Sequence, residues 1–313
     1  MSPQPDARPI RIGTRGSPLA LAQAREVANR LAAAHPGRPA DAVAIEVITT
    51  TGDRIRDRSL RDAGGKGLFT KEIEEALLDG RIDCAVHSMK DVPTVLPDRL
   101  EIACLLPRED PRDAFMSPNA DSLADLPEGA VVGSSSLRRA AQARHARPDL
   151  RIVEFRGNVE TRLKKLADGV ANATFLACCG LIRLGRSDLV TKPVPAEVML
   201  PAVAQGAIGI EIRSDDDSTR RLLAPLHDAD TDCRIAAERA LLAALDGSCR
   251  TPIAALAELS GDSLHLRAQI IRPDGSEALQ AERRGRRDDA ARMGSDAGAE
   301  LRRRAGPGFF DES

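Results

Sequence analysis

Aromatic residues are nearly missing from this sequence: there are six Phe, no Tyr and no Trp among 313 residues. Single-stranded nucleic acid is held by stacking bases on aromatic faces, so that class of partner is disfavoured. A basic excess is missing too, because 45 Lys and Arg stand against 47 Asp and Glu, a net charge of −2. Broad electrostatic grip on a duplex shows as such an excess, so no nucleic-acid partner is expected and any anion site must be local. No apolar run reaches the ~18 residues of a membrane span, and Met1 to Pro9 are polar with no apolar core of a secretory signal. The expectation is a cytoplasmic protein that meets no membrane. The six Cys show no C-x-x-C spacing and the five His are scattered singly, so no metal site is expected and the thiols should be free. Lysine is scarce as well: only six of the 45 cations are Lys. Codon bias accounts for most surface Arg, but Arg also grips carboxylates bidentately, so where the Arg sit matters.

What is present reads as a globular chain of two or three domains, with 42% hydrophobic and 29% charged residues. A strand at Ile10 to Gly13 leads through Thr14-Arg15-Gly16 into a helix. Ser17 suits its N-cap and Pro18 its first turn, and Leu21, Ala24, Ala28 and Leu31 recur at helical spacing. A strand over Ala42 to Thr50 precedes a polar, Gly-rich stretch, residues 51–67, that reads as a long loop. A helix over Thr70 to Leu78 and a strand over Ile82 to Val86 end in the loop His87 to Pro93. The plan then repeats. Strands at Ala130 to Gly133, Ile152 to Phe155 and Ala173 to Cys178 alternate with helices at Leu137 to Ala146 and Val159 to Leu166. The spacing predicts two similar α/β units with mainly parallel sheets. The apolar run Ala202 to Ile212 fits a strand that crosses back into the first unit. After Asp228, a helix over Cys233 to Leu245, strands at Ile253 to Leu259 and Leu264 to Ile271, and a final helix from Asp288 to Arg304 predict a small α+β domain.

Ligands of open α/β sheets bind outside the carboxyl ends of the strands, where helix N-termini offer free N–H groups to anions. Seven cations fall at such places: Arg15, Lys90, Arg138, Arg139, Arg156, Arg162 and Arg183. Any one of them alone reads as a solvated surface charge, whereas seven at equivalent positions in two units point to a shared polyanion cleft. Asp91, next to Lys90, is the acid among them. It is either a structural cap or a carboxylate that stabilises a developing cation. Cys249 lies in a Gly/Ser/Pro loop beside Arg250 and is either a bland loop residue or a reactive thiol for covalent attachment. The other five Cys read as packing residues. The run Gly64-Gly65-Lys66-Gly67 lacks the spacing of a nucleotide-binding phosphate loop and fits a flexible lid with a cationic tip.

Several motifs, in order, resemble the porphobilinogen deaminase (hydroxymethylbilane synthase) family: Thr14-Arg15, Gly64 to Phe69, Val86-His87-Ser88-Met89-Lys90-Asp91-Val92-Pro93, Asp110 to Phe115, Gly133-Ser134-Ser135-Ser136-Leu137-Arg138-Arg139, Arg156-Gly157-Asn158-Val159 and Leu200 to Ala207. The likeness covers roughly residues 10–260. It implies two periplasmic-binding-protein-like α/β domains with a hinge and a small α+β C-terminal domain. The boundaries would be 1–106 with 207–226, 107–206, and 227–313, with residues 51–67 as a lid. It also implies the joining of four porphobilinogen molecules into hydroxymethylbilane with loss of ammonia. The growing chain would be primed by a dipyrromethane cofactor held through a thioether at Cys249. Asp91 and Lys90 would be catalytic, with Lys90, Ser136, Arg138, Arg139 and Arg162 on the cofactor and Arg15, Ser17, Arg156, Arg183 and Gln205 on the substrate. A monomer is expected, passing its product to the next tetrapyrrole enzyme or releasing it. The family commonly has Gly-Gly before the cofactor Cys, where this chain has Gly247-Ser248. The reading from another class is a non-catalytic two-lobed anion- or solute-binding protein, which would have no use for Cys249.

Overall fold

The computed structural model describes residues 9–37, 42–54, 69–247 and 251–311. Its contacts divide the chain into two units, residues 1–107 with 207–231 and residues 108–206 with 232–313.

The first unit opens with β1 (Ile10–Thr14), α1 (Pro18–Ala34), β2 (Val43–Val47), the one-turn α2 (Thr51–Arg54), α3 (Lys71–Leu78), β3 (Cys84–Ser88) and β4 (Leu100–Leu105). Helix α1 begins where the sequence says it should: Ser17 Oγ accepts the Ala20 N–H at 3.2 Å, and Pro18 needs no donor there. Its buried stripe is Ala20, Gln23, Ala24, Val27 and Leu31, so Leu21 and Ala28 sit at its edge instead of its centre. Ala24, Val27 and Leu31 of that stripe pack with Ile10, Ile12, Cys84, Val86 and Cys104 on the sheet.

The second unit starts with β5 (Asp113–Met116), β6 (Val131–Gly133), α4 (Leu137–Ala146), β7 (Arg151–Val153), α5 (Val159–Ala167), β8 (Ala173–Ala177) and α6 (Cys178–Arg183). The caps are again side chains of the expected kind. Ser136 accepts from Arg139 N, and Asn158 accepts from Thr161 N at 2.9 Å. Gly133 is required by close approach, since a Cβ there would lie 2.4 Å from the Phe155 ring. Phe115 and Phe175 meet edge to face, 5.6 Å between centroids, in the core of this sheet.

The chain then returns to the first unit as β9 (Ile208–Arg213) and α7 (Asp217–Leu223). It ends with α8 (Ala229–Ala244), the antiparallel strands β10 (Ile253–Ser260), β11 (Ser263–Ile271) and β12 (Ala278–Arg286), and α9 (Ala290–Ala305).

The first sheet runs β2-β1-β3-β9-β4 and the second β5-β8-β6-β7. In each, the first strand of a βα unit lies between two parallel neighbours, and an antiparallel strand caps one side. The repeat of plan read from the sequence is therefore visible strand by strand. The expectation of mainly parallel sheets holds, since four of the seven strand pairs in these two sheets are parallel, and the exceptions are β9, antiparallel to both β3 and β4, and β5, antiparallel to β8. Those strands are not fed by a helical crossover, so nothing local fixes their direction. Cys178 likewise opens α6 instead of closing a strand, which puts Arg183 at the end of a helix.

Candidate functional site

In the first unit, the carboxyl ends of the parallel strands β1 and β3 frame a cleft with roughly 410 Å³ of space, open to solvent. Arg15, Ser17, Phe69, His87, Ser88 and Asp91 are among the residues that line it. The Arg15 guanidinium lies 4.1 Å over the centre of the Phe69 ring and pairs with Asp53 at 2.5 Å. Burial pulls Asp53 upward, but hydrogen bonds from Arg15 and Thr50 outweigh it and hold the carboxyl below its usual range.

Asp91 ends the single 3₁₀ turn Met89–Asp91 that follows β3. Its half-buried carboxylate has no hydrogen bond or ion pair among the described residues, and neither has the Lys90 ammonium. Lys90 does not line the cleft that Asp91 lines. Behind the turn lies a cluster that sequence reasoning missed. His87 Nε2 meets Glu211 Oε2 at 3.0 Å with both side chains buried, and the Oε1 atom of Glu211 has no partner among the described residues. Glu74 on α3 is buried nearby. Desolvation first, then the Glu211 charge, raise its carboxyl above the usual range. The signal was available, since Glu211 is the lone charge in the apolar run Ala202 to Ile212.

In the second unit, Arg138 and Arg139 occupy the first turn of α4 and are 5% and 7% exposed. They converge on Asp113, the first residue of β5. Arg138 Nη2 donates to Asp113 Oδ2 and Arg139 Nη2 to Oδ1, both at 2.7 Å. Gln205 Nε2 also donates to Oδ1, at 2.8 Å. Burial alone would raise Asp113, but the two guanidinium groups overcome it and hold the carboxyl far below its usual range. Arg162 on α5 is close enough to Arg139 to be repelled. Desolvation first, and that repulsion second, bring it down to about 10. The Nε atoms of Arg138, Arg139 and Arg162 are all buried and have no partner among the described residues. Two of these cations thus share one buried carboxylate, the third is repelled by its neighbour, and three buried donors stay unsatisfied among the described residues. A ligand with several carboxylates fits that surplus, since unpaired buried donors and unneutralised cations are both costly.

The loop that carries Gln205 is held by a buried ion pair. Arg108 Nη1 meets Glu238 Oε1 at 2.6 Å, and Glu238 also accepts from Ala204 N and Ala257 N. Ala204 has φ of 60° and Gly206 of 94°, and a Cβ on Gly206 would lie 2.3 Å from the Glu109 carbonyl. Arg183 Nη2 donates to the Gly206 carbonyl at 2.9 Å. Arg156 pairs with Glu154 beyond β7. Ser17 and Ser136 use their hydroxyls as helix caps. Asp113, Arg108 and Glu238 went unassigned in the sequence, although Asp113 stands in one of its motifs. Cys249 and most of the 51–67 stretch, including Gly64 to Gly67, lie outside the described residues. Among the described residues no group of His, Cys, Asp or Glu could hold a metal ion, and no helix is long and apolar enough to cross a membrane.

Residues 10–221 match the family described as porphobilinogen deaminase, dipyromethane cofactor binding domain, and residues 233–303 match the porphobilinogen deaminase C-terminal domain. The chain is 62% identical over 314 residues to a porphobilinogen deaminase of Paracoccus denitrificans, covering all of both chains. It is 56% identical over 299 residues to that of Nitrobacter hamburgensis, covering 96% of this chain and 94% of that one. Among solved structures it is similar to a periplasmic substrate-binding protein of an ABC transporter from Coxiella burnetii. There the identity is 18%, over 70% of this chain and 92% of that one, with a TM-score of 0.41. A putative methionine-binding lipoprotein from Bacillus subtilis gives 14% identity, over 72% and 92% of the two chains, with a TM-score of 0.43.

Proposed function

The chain belongs to the porphobilinogen deaminase family, and from that premise we propose how its residues divide the work. It is a transferase that joins four porphobilinogen molecules head to tail into hydroxymethylbilane, with release of ammonia, and it uses a dipyrromethane cofactor. When bound, that cofactor supplies a covalent primer for the growing chain.

Arg138, Arg139 and Arg162 hold the cofactor carboxylates, with Ser136 and Lys90 assisting. The observation that carries this is the buried surplus in the second unit: Arg138 and Arg139 share the one carboxylate of Asp113, Arg162 adds a third cation near Arg139, and three Nε donors are unpaired among the described residues. Every pyrrole brings an acetate and a propionate, so the ligand matches the surplus in charge. Cys249 is the attachment point, because it stands at the position of the family's cofactor cysteine. Four of the five described thiols are poor rivals. Cys84, Cys104, Cys178 and Cys179 are buried, and desolvation raises Cys104 and Cys178 to about 12.

Asp91 stabilises positive charge on the reacting ring from the cleft of the first unit, with Lys90 beside it. Its freedom from any partner among the described residues leaves the carboxylate available for pyrrole N–H groups. Arg15 and Ser17 line the same cleft and, with Arg156, Arg183 and Gln205, bind substrate carboxylates. The chain has three domains with the boundaries given above, and the 51–67 stretch is the lid loop of the first. The enzyme works as a monomer in the cytoplasm and passes hydroxymethylbilane to the next tetrapyrrole enzyme or releases it.

Intact mass of the purified protein tests the assignment. A covalent adduct of two pyrrole units is expected, absent in Cys249→Ser. Active protein of unmodified mass would remove Cys249 from its role.

A further inference from the structure

Asp113 takes no part in the division of work above, yet it is the hub of the second unit's cations. Its carboxylate is 0% exposed and is split between two arginines, one oxygen to each, while Gln205 steadies Oδ1. The far side of each guanidinium is also tied down. Arg138 Nη1 donates to the Leu200 carbonyl at 2.7 Å, and Arg139 Nη1 to the Phe175 carbonyl at 2.9 Å. Both planes are therefore fixed by acceptors on two sides, with each Nε–H left unpartnered among the described residues. Charge neutralisation alone would not need this arrangement, since a single contact to either arginine would serve. A long, flexible cation loses rotamer freedom when it binds, and a cation already immobilised does not.

We propose that Asp113 is a positioning residue for primer capture: it sets the planes of the Arg138 and Arg139 guanidinium groups before a dipyrromethane carboxylate arrives. The proposal rests on the assignment of those two arginines to the cofactor. It has an unusual sign. Removing a negative charge beside a cationic site should speed anion capture if Asp113 matters only through charge. Removing the clamp should slow it if Asp113 matters through geometry.

The experiment follows the appearance of the two-pyrrole adduct by intact mass. Primer-free full-length protein, made in cells unable to form porphobilinogen, is mixed with porphobilinogen at several salt concentrations. Asp113→Asn with a wild-type far-ultraviolet circular dichroism spectrum is expected to load about tenfold more slowly, with an unchanged salt dependence. Loading as fast as wild type, or faster, overturns the proposal. Arg138→Leu separates this failure from failure of the underlying assignment. If Arg138→Leu loads normally, the assignment itself falls. If it loads slowly while Asp113→Asn does not, only the positioning role falls. Should Asp113→Asn not fold, Asp113→Glu decides, because it keeps the negative charge but moves the carboxylate out of the geometry that orients both guanidinium groups. Slower loading is expected there, and a wild-type rate overturns the proposal.

Discussion

Asp91 and Glu74 show how differently two carboxylates are treated around the same strand. Asp91 is half-buried and unpaired among the described residues, so the fold gains nothing from its charge. Asp91→Asn is therefore expected to melt within a degree or two of wild type while turnover falls by about 10²–10³. Paired thermal melts and steady-state rates check this, and near-normal turnover would remove Asp91 from catalysis. Glu74 is the opposite case. Burial and the nearby Glu211 raise its folded value above the ordinary one. A raised carboxyl binds its proton more tightly in the folded state. Its contribution is thus fully present below the unfolded value near pH 4.3 and is lost as pH rises through the folded value. Glu74→Gln mimics the protonated form. It should raise the melting temperature relative to wild type at pH 8, with the gain vanishing near pH 4. A gain that does not depend on pH would mean that the folded state does not raise Glu74 above its unfolded value.

At the scale of elements, the helix starts are local chemistry. Asn158 accepts from both the backbone N–H and the hydroxyl of Thr161, at 2.9 and 2.8 Å, and so fixes the first turn of the helix that carries Arg162. Asn158→Ala should lower stability by about 1 kcal/mol, seen as a shifted urea midpoint at constant slope. The same locality explains which parts of the fold were legible. Ser17-Pro18 and Ser136 announced α1 and α4, and apolar runs announced β1, β3, β8 and β10. Strands β4, β5 and β12 were not legible. β12 buries only Ala281 in nine residues and alternates charged side chains on its open face, so its pattern reads as polar surface. The direction of β9 depends on pairing with strands over a hundred residues away, which no local pattern encodes. Within the site, cations at strand ends could be read from their position. Their partners could not, because Asp113 meets Arg138 and Arg139 only through tertiary contact, and Glu238 meets Arg108 across 130 residues.

Over the whole molecule, the acid limb of stability gathers these carboxylates. Asp53, Asp110, Asp113 and Asp216 all feel burial that would raise them, and all are carried below their usual range by hydrogen bonds and nearby arginines. A depressed carboxyl adds stability that is fully present above its unfolded value, near pH 3.9, and is lost as pH falls through its folded value. The stability of the chain should therefore decline steadily below about pH 4. Asp113 is the deepest of the four in the structure, so its share can be isolated. At neutral pH, Asp113→Asn leaves two buried guanidinium groups facing a neutral amide and should cost about 3–5 kcal/mol. Below about pH 3.5 the unfolded wild type binds a proton at Asp113 that the folded state refuses. The wild-type stability curve should then be steeper than that of Asp113→Asn by up to about 1.4 kcal/mol per pH unit. Urea titrations at half-unit steps from pH 5 to pH 3 measure the two slopes. Parallel curves would mean that the carboxylate is not held charged between the arginines. The clamp on Arg138 and Arg139 would then lose its electrostatic basis.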